Sequence, residues 1–271
     1  MRGSLGEKIG EGAFADVHAW APGQVVKLFK EGRPRRVSWW EARMTRAVFA
    51  AGAPAPEVLD EVTLEGRFGI VMSRLDGPAL LQLSRTGDMP PEQVGSILAT
   101  LAISVHETTP PAGVLSLRDW MEGTVRLSGG MLPESIATGI LTLIDRLSPG
   151  DGLCHCDLHP GNVIMTADGP RLLDWTATVR APAALDLAVC HILHSELIPE
   201  LVDDAERPRA VNAAVQSEYA RLADMSPVAL AAAIEPYLPI VRVFALLAGW
   251  PSRALRERLI QRVEAALRPE D

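Results

Sequence analysis

A dense group of reactive side chains lies in the stretch HCDLHPGNVI, which spans residues 155–164. Sulfur and imidazole ligands that suit zinc come from four residues of this region: Cys154, His155, Cys156 and His159. Structural zinc sites usually space such ligands as CxxC or HxxxH, so that one ion can contact both members of a pair. Neighbouring side chains in an extended C-H-C run point to opposite sides instead. This spacing disfavours a zinc site.

Oxygen ligands in the same region indicate a different chemistry. Asp157 and Asn162 lie on one predicted loop, and the β-hairpin predicted over NVIMT-ADG-PRLLDW returns Asp174 at the end of a strand. Such a loop can hold one carboxylate at a substrate hydroxyl while Asn162 and Asp174 bind Mg²⁺, a hard cation that prefers oxygen. The alternative is a polar turn without chemistry, which would not require the glycine-rich loop, the lysine and the glutamate that lie upstream.

The glycine-rich segment IGEGAFADV lies near the start of the chain. Its spacing Gly10-x-Gly12-x-x-Ala15 satisfies a loose dinucleotide-binding fingerprint, but that fingerprint requires a helix to begin at the glycines. The continuation alternates and turns like a hairpin, and the chain has no GxxxxGKS/T motif, so a Rossmann unit and a P-loop are both excluded. Two interpretations stay open: a loop whose backbone N–H groups cover nucleotide phosphates, and an ordinary hairpin turn.

A lysine follows in the predicted strand QVVKLF. Val25, Lys27 and Phe29 share one face of this strand because its side-chain period is two, and a buried lysine between apolar neighbours needs a partner. Glu41, on the predicted helix SWWEARMTRAVFAAG, is the candidate counter-charge. A solvated Lys27 is one alternative, and a capping box in which Glu41 folds back to Ser38 is another. We favour the ion pair because of the oxygen-rich site downstream.

The order of predicted elements divides the chain into two parts. Strands SLGEKIG, FADVHAW and QVVKLF, one main helix, and strands EVLDEV and RFGIVMS occupy the first part. From Pro90 onward the pattern is mostly helical, with PPEQVGSILATLAISVHE and PESIATGILTLIDRL as the clearest helices and the hairpin as the exception. We expect an α+β protein with a small antiparallel sheet and one main helix in an N-lobe (residues 1–75), and a larger, mainly helical C-lobe (residues 76–271).

Composition limits the class of protein. A chain of 271 residues that is 48% hydrophobic can bury a substantial core, and its formal net charge of −8 disfavours a protein that wraps nucleic acid. Three cysteines are too few for a disulfide framework. MRGSLGEKIGEG lacks the apolar core of a signal peptide, and IVRVFALLAGW contains Arg242 and is too short to span a bilayer. We expect a cytoplasmic protein with no membrane or nucleic-acid partner.

These motifs resemble those of the aminoglycoside phosphotransferase family, which is related to choline kinases and protein kinases. HCDLHPGNVI, RLLDW and the following AALDLA are similar to that family's catalytic loop, metal-binding strand and next helix. EARMTRAVFAAGAPAPEVLD resembles its N-lobe connection from helix to strand, and GIVMSRLDGPAL resembles its interlobe hinge. The similarity runs from about Gly10 to Ala188. It implies a two-lobed, protein-kinase-like fold.

The resemblance also implies roles for individual residues. Asp157 corresponds to the catalytic base that accepts the proton of the acceptor hydroxyl. Asn162 and Asp174 correspond to the Mg²⁺ ligands. Lys27, paired with Glu41, would meet the α- and β-phosphates of ATP.

Further nucleotide contacts are implied around the adenine. Backbone groups of Ser73 and Leu75 would hydrogen-bond the base, with Met72 behind it. Val17 and Val25 would pack on its face.

Two positions depart from the pattern of protein kinases. Ala15 stands where they usually have a third glycine, which could limit how closely the loop of Gly10 and Gly12 covers the phosphates. Trp175 stands where they have the Phe of Asp-Phe-Gly, and no glycine follows it. The departure at Trp175, together with the Leu-His-Pro-Gly run inside the catalytic loop (residues 158–161), favours a small-molecule kinase over a protein kinase.

The function implied is ATP-dependent transfer of the γ-phosphate to a hydroxyl of a small molecule, with an aminoglycoside or related antibiotic as one candidate acceptor. A nucleotide-binding pseudokinase or regulatory protein is one alternative, and a protein kinase is another. The intact residues Lys27, Asp157, Asn162 and Asp174 argue against the pseudokinase. The missing Asp-Phe-Gly and the lack of a recognisable activation segment argue against the protein kinase.

The acceptor itself is left open by the sequence, as is the choice between ATP and GTP. Asp203, Asp204 and Glu206 could line a pocket for a cationic, polyamine-like acceptor. They could equally form a solvated loop beside Pro208. The oligomeric state is open as well.

Overall fold

The computed structural model describes residues 5–248 and 252–268 of the chain. Three of the segments discussed in the sequence analysis fall partly outside these residues. The first predicted strand begins at Ser4 and the stretch MRGSLGEKIGEG begins at Met1, so both start outside the described part. The last two residues of IVRVFALLAGW lie outside it as well.

A five-stranded antiparallel sheet and one long helix form the N-terminal part of the protein. The strand order is β1-β2-β3-β5-β4, and the bounds are β1 (Lys8–Glu11), β2 (Ala15–Ala21), β3 (Gln24–Phe29), β4 (Val58–Leu64) and β5 (Arg67–Ser73). Helix α1 (Arg35–Ala50) contacts β4 and β5. Alternate side chains of the strands and one face of the helix meet in a small apolar core that includes Val25, Phe29, Ala42 and Ile70.

Helix α1 begins at Arg35, directly after Pro34, and not at Ser38 as the sequence predicted. Pro34 caps this helix with the extended backbone usual for such a residue (φ −63°, ψ 141°), and it has no N–H that would need a partner there. Ser38 therefore lies one turn inside the helix, where its hydroxyl donates to the carbonyl of Arg35 at 3.0 Å. The capping-box alternative for Ser38 and Glu41 is wrong.

The C-terminal part is mainly helical and contains the larger core. Among the described residues its helices are α2 (Leu80–Thr86), α3 (Pro91–Glu107), α4 (Leu117–Leu127), α5 (Glu134–Arg146), α6 (Ala184–Ile192), α7 (Glu206–Leu222), α8 (Pro227–Ile234), α9 (Leu238–Ala248) and α10 (Arg253–Ala266). Its fully buried side chains include Leu98, Met121, Ile140 and Trp175. Helices α3 and α5 match the two clearest helical predictions to within one residue at each end.

Two short antiparallel strand pairs lie among these helices. The predicted hairpin is present as β7 (Val163–Thr166) and β8 (Gly169–Leu172). A second pair, β6 (Gly152–Cys154) with β9 (Val179–Ala181), was not predicted, because three residues are too few to show an alternating pattern. This pair brackets the reactive stretch, since the chain leaves β6 directly into HCDLH and returns through β9 after Asp174.

Within the described part of the chain, one helical segment has the length and composition of a membrane span. It covers Pro227–Ala248, with a mean hydropathy of 1.7. This segment begins well before the stretch IVRVFALLAGW, which we expected to be too short to span a bilayer. Half of its most apolar window is buried inside the protein. Buried residues such as Ile240 and Leu246 belong to the large core, as in a core helix of a folded domain. Length and composition alone are weak grounds for a span.

Candidate active site

A cleft of about 560 Å³ opens between the sheet and the C-terminal part. Its volume is within the range that small-molecule and cofactor sites usually have. The cleft is lined by every residue predicted to bind nucleotide or metal: Gly10, Gly12, Val17, Val25, Lys27, Glu41, Met72, Ser73, Leu75, Asn162 and Asp174. Asp157 is the one predicted site residue that does not line it. The fold therefore gathers the dispersed motifs at one place.

Three charged side chains meet in the cleft. The Lys27 ammonium lies 2.6 Å from Glu41 Oε1 and 3.4 Å from Asp174 Oδ2. Lys27 comes from β3, Glu41 from the buried face of α1, and Asp174 from the segment after β8. Of the three alternatives for Lys27 and Glu41, the structure contains the ion pair, because 2.6 Å is the length of a charge-assisted hydrogen bond.

Burial and charge oppose each other at this ion pair. Burial alone would lower the pKa of Lys27, but the charges of Glu41 and Asp174 outweigh it and hold that pKa above its ordinary value. Burial raises the pKa of Glu41, and the Lys27 charge opposes this rise. An ammonium that stays charged in a cleft can contact a polyanion such as a nucleotide phosphate.

The glycine-rich segment is a strand–turn–strand, as the sequence predicted. Gly10 lies in β1 opposite Val17 of β2, and the N–H of Gly12 donates to the carbonyl of Ala15 at 2.8 Å, which closes the turn. No helix begins at these glycines, so the geometry that a dinucleotide fingerprint requires is missing. The turn lies over the cleft and contributes Gly10, Gly12 and Ala15 to its lining.

The end of β5 forms another wall of the cleft. The N–H of Ser73 donates to the carbonyl of Glu57 at 2.9 Å, and the N–H of Arg74 donates to the carbonyl of Gly23 at 2.9 Å. Both of these N–H groups are therefore engaged within the protein. For a ligand in the cleft, the Ser73 carbonyl and the Leu75 N–H are the backbone groups that we regard as candidates.

The loop that bears Asp157 is held from below by a buried carboxylate. Asp186, on α6, accepts hydrogen bonds from the backbone N–H groups of His155 (2.8 Å) and Cys156 (2.6 Å). Its Oδ2 also lies 3.2 Å from Nε2 of His106, on α3. His155 is itself fully buried, and its Nε2 lies 2.9 Å from the carbonyl of Leu173. These contacts tie the loop to the segment that carries Asp174.

Asp157 has neighbours that favour its ionised form. The side-chain nitrogen of Asn162 donates to its backbone carbonyl and to its Oδ2, both at 2.9 Å. His159 Nε2 lies 3.6 Å from its Oδ1. Burial would raise the pKa of Asp157, but the contact with His159, the charge of His155 and the Asn162 hydrogen bond outweigh it, and the pKa lies below its ordinary value.

Asn162 and Asp174 offer the donor set that Mg²⁺ prefers. The Asn162 amide nitrogen faces Asp157, so its Oδ1 is left for another partner. Asp174 is an ionisable carboxylate whose side chain is 33% exposed to the cleft. Hard oxygen donors of this kind suit Mg²⁺, which is usually bound by one or two protein ligands together with phosphate oxygens. The residues present therefore fit this cation.

The four side chains of the zinc alternative do not form one group. Cys154 and Cys156 are free and buried, and burial raises the pKa of each thiol well above its ordinary value. Cys154 instead lies near His106 and Asp186, with ligand atoms within 4.8 Å of one another. In this group the Cys154 thiol already donates to the Ala181 carbonyl at 3.6 Å, and Asp186 already accepts from the loop.

The sequence missed several residues that line the cleft, including Ile9, Thr45, Pro56, Ile164 and Leu173. Ile164 had a usable signal, because it follows the buried Val163 in a predicted strand and must point to the opposite face. Thr45 had one as well, since it lies one helical turn beyond Glu41. The remaining residues of this group are brought to the cleft only by the packing of the two parts of the protein.

The acidic residues near position 204 do not line the cleft. They are also not part of the adjoining cavity of about 430 Å³, which is lined by residues of α2 and by Gly161. Asp204 accepts hydrogen bonds from the N–H groups of Glu206 and Arg207, both at 3.2 Å, at the start of α7. Glu206 pairs with Arg209 at 2.6 Å. These acidic residues therefore match the alternative of a solvated loop.

Comparison with solved structures identifies the fold as protein-kinase-like. The chain is similar to an aminoglycoside-3'-phosphotransferase of type VIII (TM-score 0.54, 20% identity, 88% of this chain and 94% of that one). It is also similar to an ADP-bound aminoglycoside phosphotransferase (TM-score 0.55, 16% identity, 98% and 93%). A choline/ethanolamine kinase family protein from Mesorhizobium loti matches as well (TM-score 0.52, 17% identity, 98% and 89%). The predicted fold is confirmed.

Sequence comparison then gives the family. The model of the phosphotransferase enzyme family matches residues 13–224, which is most of the chain, so this protein belongs to that family. The match begins inside the glycine-rich segment and ends just after α7. The resemblance stated from the motifs is confirmed. A comparison with curated protein sequences gives no significant match.

Proposed function

We propose that this protein is an ATP-dependent phosphotransferase that moves the γ-phosphate to a hydroxyl group of a small molecule. One observation carries the proposal: Lys27 contacts both Glu41 and Asp174 in the cleft, while Asn162 of the same cleft holds the Asp157 carboxylate. These residues come from distant parts of the sequence, and phosphoryl transfer uses each of their types. We propose residues 1–75 as the nucleotide-binding lobe and residues 76–271 as the catalytic and acceptor-binding lobe.

Nucleotide binding follows from the walls of the cleft. The adenine would pack against Val17 and Val25, with Met72 behind it, and would hydrogen-bond the Ser73 carbonyl and the Leu75 N–H. The α- and β-phosphates would then lie at Lys27 and under the loop of Gly10 and Gly12. The ADP bound in one of the similar solved structures supports a nucleotide as the ligand of this cleft, and the individual contacts are those that the family resemblance implies.

Asp157 would act on the acceptor. Its lowered pKa keeps the carboxylate ionised at neutral pH, so it can accept a hydrogen bond from a hydroxyl and orient that hydroxyl for in-line attack. Asn162 fixes the orientation of this carboxylate by its hydrogen bond to Oδ2, and His159 lies 3.6 Å from Oδ1. Base assistance contributes about 10²–10⁴-fold in enzymes generally, so positioning and charge neutralisation must supply the rest of the rate.

Asn162 and Asp174 would hold Mg²⁺, whose charge, when the ion is bound, offsets that of the phosphates. Lys27 would add a second positive charge on the nucleotide. Glu41 keeps the Lys27 ammonium in place, because the helix that carries Glu41 is itself packed on the sheet. The chain thus supplies positioning and charge, which are the main terms in this class of reaction.

We propose a small molecule as acceptor because the similar solved structures include an aminoglycoside phosphotransferase and a choline/ethanolamine kinase family protein. An aminoglycoside or related cationic antibiotic is the candidate to test first. The net charge of −8 is compatible with a cationic acceptor. The acidic residues near position 204 do not support it, since they serve the start of α7.

An assay of γ-labelled ATP against panels of aminoglycosides, other antibiotics, amino alcohols and sugars tests the proposal. Label transfer to a small molecule supports it. Nucleotide binding without transfer to any acceptor would favour the pseudokinase, and transfer to protein alone would favour a protein kinase. Aminoglycoside sensitivity that is unchanged when the protein is expressed in a susceptible bacterium would count against a role in resistance.

A further inference from the structure

The backbone of Asp174 has an uncommon conformation. Its φ is 59° and its ψ is 71°, in the left-handed region that residues other than glycine rarely adopt. Such a conformation costs on the order of 1 kcal/mol and persists only where neighbouring contacts hold it. The contacts around Asp174 therefore determine where its carboxylate points.

Each carboxylate oxygen of Asp174 has a different partner. The hydroxyl of Thr176 donates to Oδ1 at 2.7 Å, and the Lys27 ammonium lies 3.4 Å from Oδ2. The contact with Thr176 is the shorter of the two, and it comes from a neutral donor. An ionised carboxylate has about four lone-pair sites, so the contact with Thr176 leaves room for a cation on the same group.

Helix α1 reaches Asp174 by two routes. The first runs from Glu41 through Lys27 to Oδ2. The second runs from Trp40, whose indole Nε1 donates to the backbone carbonyl of Thr176 at 3.0 Å. Because Trp40 and Glu41 are neighbours in the sequence, one turn of α1 holds both sides of the carboxylate.

The segment after Asp174 is also anchored on its other side. The indole of Trp175 is fully buried, donates to the Leu172 carbonyl at 2.9 Å, and packs edge-on against His155 with ring centroids 4.7 Å apart. The hydroxyl of Thr178 donates to the Trp175 carbonyl at 2.9 Å. Thr176 thus sits on a fixed segment, and its hydroxyl is free to serve Asp174.

We infer that Thr176 and Trp40 are positioning residues that orient the Asp174 carboxylate for Mg²⁺. The inference rests on the proposed function, which makes Asp174 a ligand of the cation. Without the Thr176 hydroxyl, Lys27 is the remaining polar contact of this carboxylate among those described. The carboxylate would then turn toward the ammonium, and Mg²⁺ would compete with an ion pair for it.

The test is a titration of ADP binding against Mg²⁺ by isothermal calorimetry. Thr176→Val keeps the shape of the side chain and removes the hydroxyl, whereas Thr176→Ser keeps the hydroxyl. We expect the Mg²⁺ concentration at half-maximal enhancement of ADP binding to rise about threefold to tenfold in Thr176→Val, the effect of one hydrogen bond. Thr176→Ser should restore the parental value, and ADP affinity without Mg²⁺ should change less than the Mg²⁺ requirement does in Thr176→Val.

Trp40→Phe tests the second residue, with Trp39→Phe as its matched control. Trp40→Phe removes the indole N–H that reaches Thr176 and should raise the Mg²⁺ requirement in the same direction. Trp39 is 44% exposed and its ring faces the Arg43 guanidinium, so Trp39→Phe should bind like the parent. Thermal melting of each variant verifies that it is folded.

Two results would overturn the inference while leaving the proposed function intact. One is a Thr176→Val protein with the parental Mg²⁺ requirement. The other is an equal loss of ADP affinity with and without Mg²⁺, which indicates a merely structural role. A parent protein that binds no ADP at any Mg²⁺ concentration would remove both the proposed function and the inference.

Discussion

The side-chain nitrogen of Asn162 donates two hydrogen bonds to Asp157, one to its backbone carbonyl and one to its carboxylate, both at 2.9 Å. Both acceptors are oxygens, so the amide oxygen of Asn162 must point away from Asp157. One residue therefore fixes the carboxylate that we propose as base and presents an oxygen ligand to the cleft. The proposed base and the proposed metal ligand are five residues apart on one loop, so this loop sets the distance between them.

Replacement of the proposed base should separate catalysis from binding. Asp157→Asn keeps the size of the side chain but cannot accept a proton, so turnover with the acceptor identified by the panel should fall by roughly 10²-fold or more. Affinity for Mg·ATP should stay within a few-fold of the parent, because Asp157 does not line the nucleotide cleft. Steady-state kinetics and calorimetry give the two values. An unchanged turnover number removes Asp157 from the mechanism.

The pH dependence of turnover should depend on His159. The pKa of Asp157 is lowered, so turnover should decline at a lower pH than it would with an ordinary aspartate as base. His159→Asn removes the imidazole that lowers this pKa but keeps a side-chain oxygen that can accept from the Gly161 N–H. The acid limb of the pH–rate profile should therefore move to higher pH. A limb that stays in place would show that His159 does not set the charge of Asp157.

Asp186 should stabilise the fold in a pH-dependent way. Burial would raise its pKa, but His106, His155 and the backbone donors outweigh it, and the pKa is lowered. A lowered carboxyl pKa contributes stability that is present above the unfolded value and is lost as pH falls through the folded value. Asp186→Asn should thus reduce the free energy of unfolding by on the order of 3 kcal/mol at neutral pH.

The difference between parent and Asp186→Asn should shrink as the pH falls below the ordinary carboxyl range. Urea denaturation at neutral and acidic pH measures it. Asp168→Asn is the matched control, because Asp168 lies exposed in the turn between β7 and β8. An equal loss of stability at both pH values would contradict the role assigned to the Asp186 charge.

The cysteines beside the loop should be dispensable for chemistry. Cys154→Ala combined with Cys156→Ala should lower the free energy of unfolding by about 1–3 kcal/mol, because two buried sulfur atoms are lost. Transfer activity should survive, since Mg²⁺ prefers oxygen to sulfur. Elemental analysis of the parent and the double variant decides between a zinc site and a phosphate-handling loop at HCDLHPGNVI. One tightly held zinc per chain that disappears in the double variant would restore the zinc alternative.

Much of the site could be predicted because its residues lie in patterned segments. Strand periodicity placed Lys27 among buried side chains, and helix periodicity placed Glu41 on the buried face of α1; the structure joins the two at 2.6 Å. The hairpin that returns Asp174 toward Asn162 was visible from its turn residues. Family resemblance added Met72 as a proposed nucleotide contact, which no local pattern indicates, and the structure places this residue in the cleft lining.

The contacts that hold the site could not be predicted, because they join residues far apart in the sequence. Trp40 meets Thr176, and Asp186 meets His106, through packing of whole elements. The sequence carries no signal for the left-handed backbone of Asp174, because aspartate adopts the ordinary backbone conformations far more often than this one. The start of α1 was misplaced because Ser38 and Glu41 match a capping box, whereas the helix begins directly after Pro34.

The Mg²⁺ dependence of nucleotide binding tests the central claim most directly. Calorimetric titration of ATP against Mg²⁺ should show enhancement by the cation in the parent and in Asp168→Ala, since Asp168 is exposed and does not line the cleft. In Asp174→Ala the enhancement should be largely lost, because Asp174 is the charged ligand proposed for the cation. Equal Mg²⁺ dependence in the parent and in Asp174→Ala would contradict the account.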